Sequence, residues 1–215
     1  MKWFRIPKES TTPPTSGSYQ DWKPQLADEG RFQCVYCAIH ENNFGGTRNF
    51  HVEHYRPKSI ARFRHLIDDF NNLYYACSIC NCFKGNDWPN DPPSNPSIPL
   101  VYYPEPSKMD YNKLFVVRED WIINGQSVAA KYLVEKLYLN RPQLILERRS
   151  KFLLNRLEKE VKHLQLLSRR ISGSELSIEL KEFLYQKSVD MLSKAVSLLV
   201  QKESIRPYKA EDIEK

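Results

Sequence analysis

Polar and apolar residues change their period along this chain. Through Phe50-His51-Val52-Glu53 they alternate one by one, the period of a half-buried strand, and Pro57 ends that strand because proline cannot donate to a ladder. Ile60, Phe63, Leu66, Ile67 and Phe70 then stand among basic residues, a pattern that suits a short helix or an ordered loop. Leu73-Tyr74-Tyr75-Ala76 is a second apolar run, and a helix is expected to start near Asn81 with Cys77 and Cys80 at its entrance. Residues 86–107 are dense in proline, asparagine and aspartate and read as an extended connector. Lys113–Val117 and Trp121–Ile123 read as two short strands, with Asn124-Gly125 as a turn signal. From 126 onward the period becomes helical, with Ala130, Leu133, Val134 and Leu137 on one face. Asn140-Arg141-Pro142 restarts the helix, its proline near the first turn. Leu146, Leu153, Leu157, Val161 and Leu164 form a stripe, Gly173 breaks it, and a last helix carries Leu180, Leu184, Leu192 and Leu199. No internal repeat is present. The expected fold class is α+β, with an arm at 1–30, a small mixed region at 31–90, a connector and hairpin at 91–125, and a helical region at 126–215.

The arm is rich in proline, serine and threonine, yet Trp3, Phe4, Tyr19 and Trp22 argue that it lies against a surface, since such side chains find something to bury against. A hydrophobic fraction of 41% supports a core, and 27% charged residues point to a soluble protein. No stretch approaches the roughly 20 apolar residues of a membrane span. Lys2 and Arg5 are not followed by an apolar segment, so no secretory signal is expected and the cytoplasm is the expected location. The net charge of +6 favours a polyanionic partner.

The chemistry-bearing residues cluster in 31–90. Cys34-x-x-Cys37 and Cys77-x-x-Cys80 are two matched pairs separated by 39 residues. Four thiolates at that spacing are expected to form a closed tetrahedral zinc site; the alternative is that one pair is an incidental pair of buried thiols, since free cysteine is common in cores. His40 could replace one ligand, and Cys82 is the odd cysteine, read as a packing residue. Between the pairs, Glu53 stands beside His54. A neutral imidazole can take a proton near neutral pH, and a hard divalent cation held by oxygen ligands can neutralise a phosphate. Adjacent strand residues point to opposite faces, so both could serve one phosphate only where the strand end twists or bulges. His51 shares the strand face of Glu53 and reads as a supporting or packing residue; His65 and His163 read as surface residues.

In order, Cys34/Cys37, Glu53-His54-x-x-Pro57, Asn72-Leu73, Cys77/Cys80, Asn81 and Lys84 resemble the HNH endonuclease family over about residues 31–86. The resemblance implies a ββα-metal finger around one catalytic cation, with a structural zinc in the cysteine pairs. It implies that His54 is the general base and that Glu53 is a metal ligand. Asn72 would fix the loop by backbone hydrogen bonds, and Lys84 would contact a phosphate. Asn81 would be the last ligand, where histidine is commoner, a departure that favours Mg²⁺ or Mn²⁺. Arg56 and Lys58 flank the base and are expected on phosphates.

Residues 141–170 carry nine basic side chains against three acids, Arg148 and Arg149 among them. They read either as a solvated helix face or as a surface that holds the DNA backbone, and the leucine stripe reads as core or as a docking face. His51–Lys58 together with Leu137-x-Leu139-Asn140-Arg141 is similar to small HNH proteins of Septu-type and retron-linked antiphage systems. That resemblance implies an ATPase partner and an antiviral role. The expected activity is metal-dependent DNA cleavage; a non-catalytic zinc adaptor and an RNA-cleaving enzyme of the same fold are the alternatives.

Overall fold

Two strands, β1 (Phe50–His54) and β2 (Leu73–Cys77), pair antiparallel with Phe50 opposite Cys77 and His54 opposite Leu73. Helix α2 (Ser78–Lys84) follows β2 directly and packs on both strands, as does α1 (Lys23–Glu29) from the N-terminal arm. The computed structural model describes residues 2–9, 11–95, 98–172 and 176–203. Every residue of β2 is buried, because the knuckle at 34–39 covers it too and the Val35 amide donates to the Tyr75 carbonyl at 2.9 Å. On β1 the alternation holds from Phe50 to Val52 and breaks at the end, where Glu53 and His54 are both buried.

Helix α2 begins at Ser78, earlier than the sequence suggested, and contains Cys80. The Cys77 sulfur accepts from the Cys80 amide at 3.5 Å and so does the work of a serine or aspartate N-cap. Cysteine is not a residue from which a cap is ordinarily read. The helix stops at Gly85, whose φ of +51° suits glycine.

The second sheet pairs β3 (Phe115–Val117) with β4 (Ile123–Gly125). Asn124 and Gly125, expected as the turn, lie inside β4, and the chain reverses through 118–122 instead. Gly125 is there for close approach: a Cβ would lie 2.3 Å from the Lys131 amide nitrogen in α3 (Val128–Lys136). Ser127 caps α3 through the Ala130 amide at 3.1 Å.

The chain divides into two compact units, Met1–Leu144 and Ile145–Lys215. The reason is in the core: Ala130, Leu133, Leu137, Leu139 and Leu144 belong to the same buried cluster as Tyr36, Phe50 and Tyr75. Trp3, Ile6 and Trp22 join that cluster, so the arm is part of the unit it was expected to lie across. Helix α4 (Pro142–Ser172) crosses the boundary, and α5 (Ile178–Glu203) lies in the second unit. Gly173, expected to break the helix, lies outside the described residues. In the second unit Leu153, Ala195 and Leu198 are buried, while Phe183, Tyr185, Leu192 and Val196 are exposed. No helix among the described residues is long and apolar enough to cross a membrane. The class is α+β, with small antiparallel sheets and a helical C-terminal region.

Candidate functional site

The four cysteines meet. The sulfurs of Cys34, Cys37, Cys77 and Cys80 all lie within 4.8 Å of one another and are buried. Cys37 and Cys77 are 3.8 Å apart, sulfur to sulfur. That is far beyond the about 2.05 Å of a disulfide. It matches the edge of about 3.8 Å that follows from a tetrahedron with Zn–S bonds of about 2.3 Å. The donor set therefore fits zinc, and its closed geometry leaves no position for a reacting water. His40 is not part of the group; its Nδ1 accepts from the Asn42 amide at 3.2 Å. The knuckle turns sharply at Ala38, φ +55°, so that its amide reaches the Cys34 carbonyl at 2.8 Å. Burial pushes the Cys34 thiol well up, while hydrogen bonds from Cys34, Cys37 and Cys80 pull Cys77 down. Cys82 is exposed, and so is not the packing residue it was read as.

Beside the hairpin lies a cleft of about 510 Å³ whose walls include Glu53, His54, Asn81 and Lys58. Glu53 and His54 both reach it because β1 ends there and its alternation fails. His54 Nε2 lies 3.0 Å from the Ile67 carbonyl oxygen. A carbonyl only accepts, so Nε2 carries the proton and Nδ1 of the neutral ring keeps its lone pair. Burial lowers the His54 pKa, helped by Lys58 and Lys84 and opposed by the Ile67 bond and Asp68, so the ring is neutral at neutral pH. Asn72 is a positioning residue for this ring. Its Oδ1 accepts from the Arg56 amide at 2.8 Å, and its Nδ2 donates to the carbonyls of Arg56 at 3.1 Å and Leu66 at 3.3 Å. The side chain thus holds both ends of the loop whose Ile67 carbonyl orients His54.

Lys84 is not where a phosphate contact needs it. Its side chain is 0% exposed, with Nζ 2.6 Å from Glu53 Oε1 and 2.9 Å from the His54 carbonyl. An ammonium without access to water cannot meet a substrate, so the expected phosphate role is corrected to a buried ion pair. Tyr36 also donates to Glu53 Oε1, at 3.2 Å. Burial pushes the Glu53 carboxyl up, and Lys84 and Tyr36 pull it back. Glu53, 3% exposed and already met by Lys84 and Tyr36, and Asn81 are the two expected oxygen ligands that line the cleft. The Asn81 amide has no side-chain hydrogen bond among the described residues and lines the cleft. Among the described residues, the cysteine cluster is the one group of three or more His, Cys, Asp or Glu able to hold a metal.

Of the expected basic contacts, Lys58 lines the cleft, whereas Arg56 is half-buried and does not. In the second unit Arg148 is 3% exposed, which withdraws it from the free surface a phosphate would need, and Arg149 is half-buried. His51 is exposed on the cleft wall. The arm supplies what the motif reading missed. Tyr19 sits edge-on to the His54 ring at 4.8 Å, its amide donates to Asp68 at 2.9 Å, and its hydroxyl accepts from Lys58 Nζ at 2.6 Å. That bond from Lys58 lowers the Tyr19 pKa. The signal was the run of aromatic residues in an otherwise polar arm.

No family model, no curated protein and no solved structure matches this chain.

Proposed function

We propose that this protein is a metal-dependent endonuclease of the HNH type that hydrolyses DNA phosphodiester bonds. The observation that carries the reading is the state of His54. Its Nε2 is committed to the Ile67 carbonyl, which leaves the lone pair on Nδ1, its pKa is lowered, and the residue lines a cleft that Glu53 and Asn81 also line. In the proposed reaction Nδ1 takes a proton from the water that attacks phosphorus, the bond from phosphorus to the 3′ oxygen breaks, and that oxygen takes a proton from solvent, giving 5′-phosphate and 3′-hydroxyl ends. A Mg²⁺ or Mn²⁺ ion on Glu53 and Asn81 would supply charge stabilisation to the phosphate and the leaving oxygen. Asn72 keeps the imidazole oriented through the loop, and Lys58 brings positive charge to the cleft. The zinc is structural, because a four-thiolate site has no open position.

The Glu53–Lys84 pair favours a second reading. An ammonium at 2.6 Å neutralises the carboxylate that a cation would need, so a nucleic-acid adaptor without catalysis is the rival. The DNA substrate, an ATPase partner and a role in antiphage defence rest on the motif resemblance; an RNA-cleaving enzyme would use the same cleft.

Cleavage of supercoiled plasmid and of a matched RNA by wild type and His54→Ala, with Mg²⁺, Mn²⁺ or EDTA, tests the proposal. One site per chain predicts nicking that needs the metal and is lost in the variant by about 10²-fold or more. Metal-independent or undiminished cleavage in His54→Ala overturns it. Cleavage of RNA alone reassigns the substrate.

A further inference from the structure

The turn between α3 and α4 carries Leu137-x-Leu139-Asn140-Arg141, and the cleft uses none of it. Leu137 and Leu139 are fully buried in the core of the first unit. Asn140 treats β4 as a strand would: its Oδ1 accepts from the Ile123 amide at 2.8 Å and its Nδ2 donates to the Ile123 carbonyl at 2.9 Å. Tyr138, at φ +47°, bends the chain back after α3. These three fixings place the next residue, Arg141, over the cysteines.

Its guanidinium then meets sulfur on one side and carbonyls on the other. One terminal nitrogen lies 3.5 Å from Cys37 Sγ and 3.8 Å from both Cys77 Sγ and Cys80 Sγ. The other lies 3.8 Å from Cys80 Sγ, 3.2 Å from the Leu137 carbonyl and 3.4 Å from the Tyr138 carbonyl. Nε is buried with no hydrogen-bond partner, a cost that a solvated arginine would avoid, so the sulfurs and carbonyls set the orientation. Four thiolates around one Zn²⁺ leave two excess negative charges, about as unfavourable a group to bury as a protein contains. A planar fork with several donors can meet three sulfurs and two carbonyls at once; the point charge of a lysine cannot.

We propose that Arg141 is the charge partner of the four-cysteine centre, donating to the sulfurs of Cys37, Cys77 and Cys80 and thereby holding the zinc in place. Retention of metal in the knuckles thus depends on a turn 61 residues beyond Cys80 and 104 beyond Cys37. The inference rests on the cysteines holding zinc and is independent of nuclease activity.

The test uses the full zinc-loaded chain as wild type, Arg141→Gln and Arg141→Lys. Arg118→Gln, at an exposed residue, is the control for net charge. Transfer of zinc to the chelating dye 4-(2-pyridylazo)resorcinol is followed with time, and each protein is reloaded with Co²⁺ to record its sulfur-to-metal charge-transfer band. Loss of the donor should speed zinc release by about 10–100-fold in Arg141→Gln, the range for residues that support metal ligands. Arg141→Lys should be intermediate, and Arg118→Gln should match wild type. Thiolates relieved of hydrogen bonds give up charge more readily, so the cobalt band should move to longer wavelength, which loosened packing alone would not cause. Folding is checked by near-ultraviolet circular dichroism. Folded Arg141→Gln with wild-type release and an unmoved band overturns the proposal. If Arg141→Gln does not fold, Arg141→Lys decides: an unmoved band and wild-type release in it overturn the proposal equally. A wild type that takes up neither Zn²⁺ nor Co²⁺ removes its premise, whatever the nuclease assay gives.

Discussion

Replacing Lys84 by methionine separates the two roles that a lysine near this cleft could have. Lys84 and Glu53 have side-chain exposures of 0% and 3%, and their 2.6 Å contact is out of reach of water. Methionine keeps most of the volume and removes the charge. It leaves a buried carboxylate with only the Tyr36 hydroxyl, and it takes from the His54 carbonyl its donor. Breaking one side of a buried pair costs about 3–5 kcal/mol. For a protein of this length that corresponds to a fall in Tm of about 10 °C. Lys84→Met/Glu53→Gln removes both charges and lets the amide oxygen still accept from Tyr36, so it should recover more than half of the loss. Urea unfolding with zinc present, at unchanged denaturant slope, measures both. A loss below about 1 kcal/mol in Lys84→Met, the range of an exposed ion pair, would refute the reasoning. Lys84 would then be free to serve a phosphate after all.

The lowered pKa of His54 sets two pH dependences with one sign. The proposed reaction needs the neutral ring, so the acid limb of its pH–rate profile should lie below pH 6.5, the ordinary histidine value; a limb above it would contradict the burial argument. The unfolded chain takes up that proton at the ordinary value and the folded chain does not, so stability should fall as pH drops through about 6.5 and this fall should be absent in His54→Ala. Cys77→Ser removes a sulfur of the cluster that could hold zinc and alters the cap of α2 together. The variant should lose zinc and its cooperative thermal transition, read by metal content and calorimetry, and a zinc-loaded variant melting with wild type would remove the cysteine cluster from the metal site.

What was legible in the sequence was what short-range pattern encodes. The strand through Phe50–His54, the cysteine spacing and the helical back half follow from period and residue type. The failures share a cause, since each depends on a contact between residues far apart in the chain. Asn124-Gly125 reads as a turn until α3 is known to press its backbone on Gly125. Lys84 reads as a phosphate contact until the end of β1 is seen to bring Glu53 to it, and Tyr19 has no role until the arm folds back on His54. Arg148 reads as part of a solvated face or of a surface for the DNA backbone, yet it is buried.

Glu53 and the cysteine centre also explain one another. Each is an anionic group enclosed by the first unit, and each receives one cation from a position fixed by a helix terminus. Lys84 stands at the last residue of α2, and Arg141 stands just before α4. The cysteine cluster includes the residue that caps α2, so α2 is held at its start by sulfur and at its end by the ion pair. Both fastenings bear on β1 and β2, and the carbonyl that Lys84 meets is that of His54 itself. A change at the cysteine cluster should therefore reach the imidazole through α2, although none of its four cysteines lines the cleft. If the proposed function holds and the cysteines carry zinc, metal removal should therefore abolish plasmid nicking even while the cleft side chains are all intact, and full nicking by the zinc-free chain would sever this link.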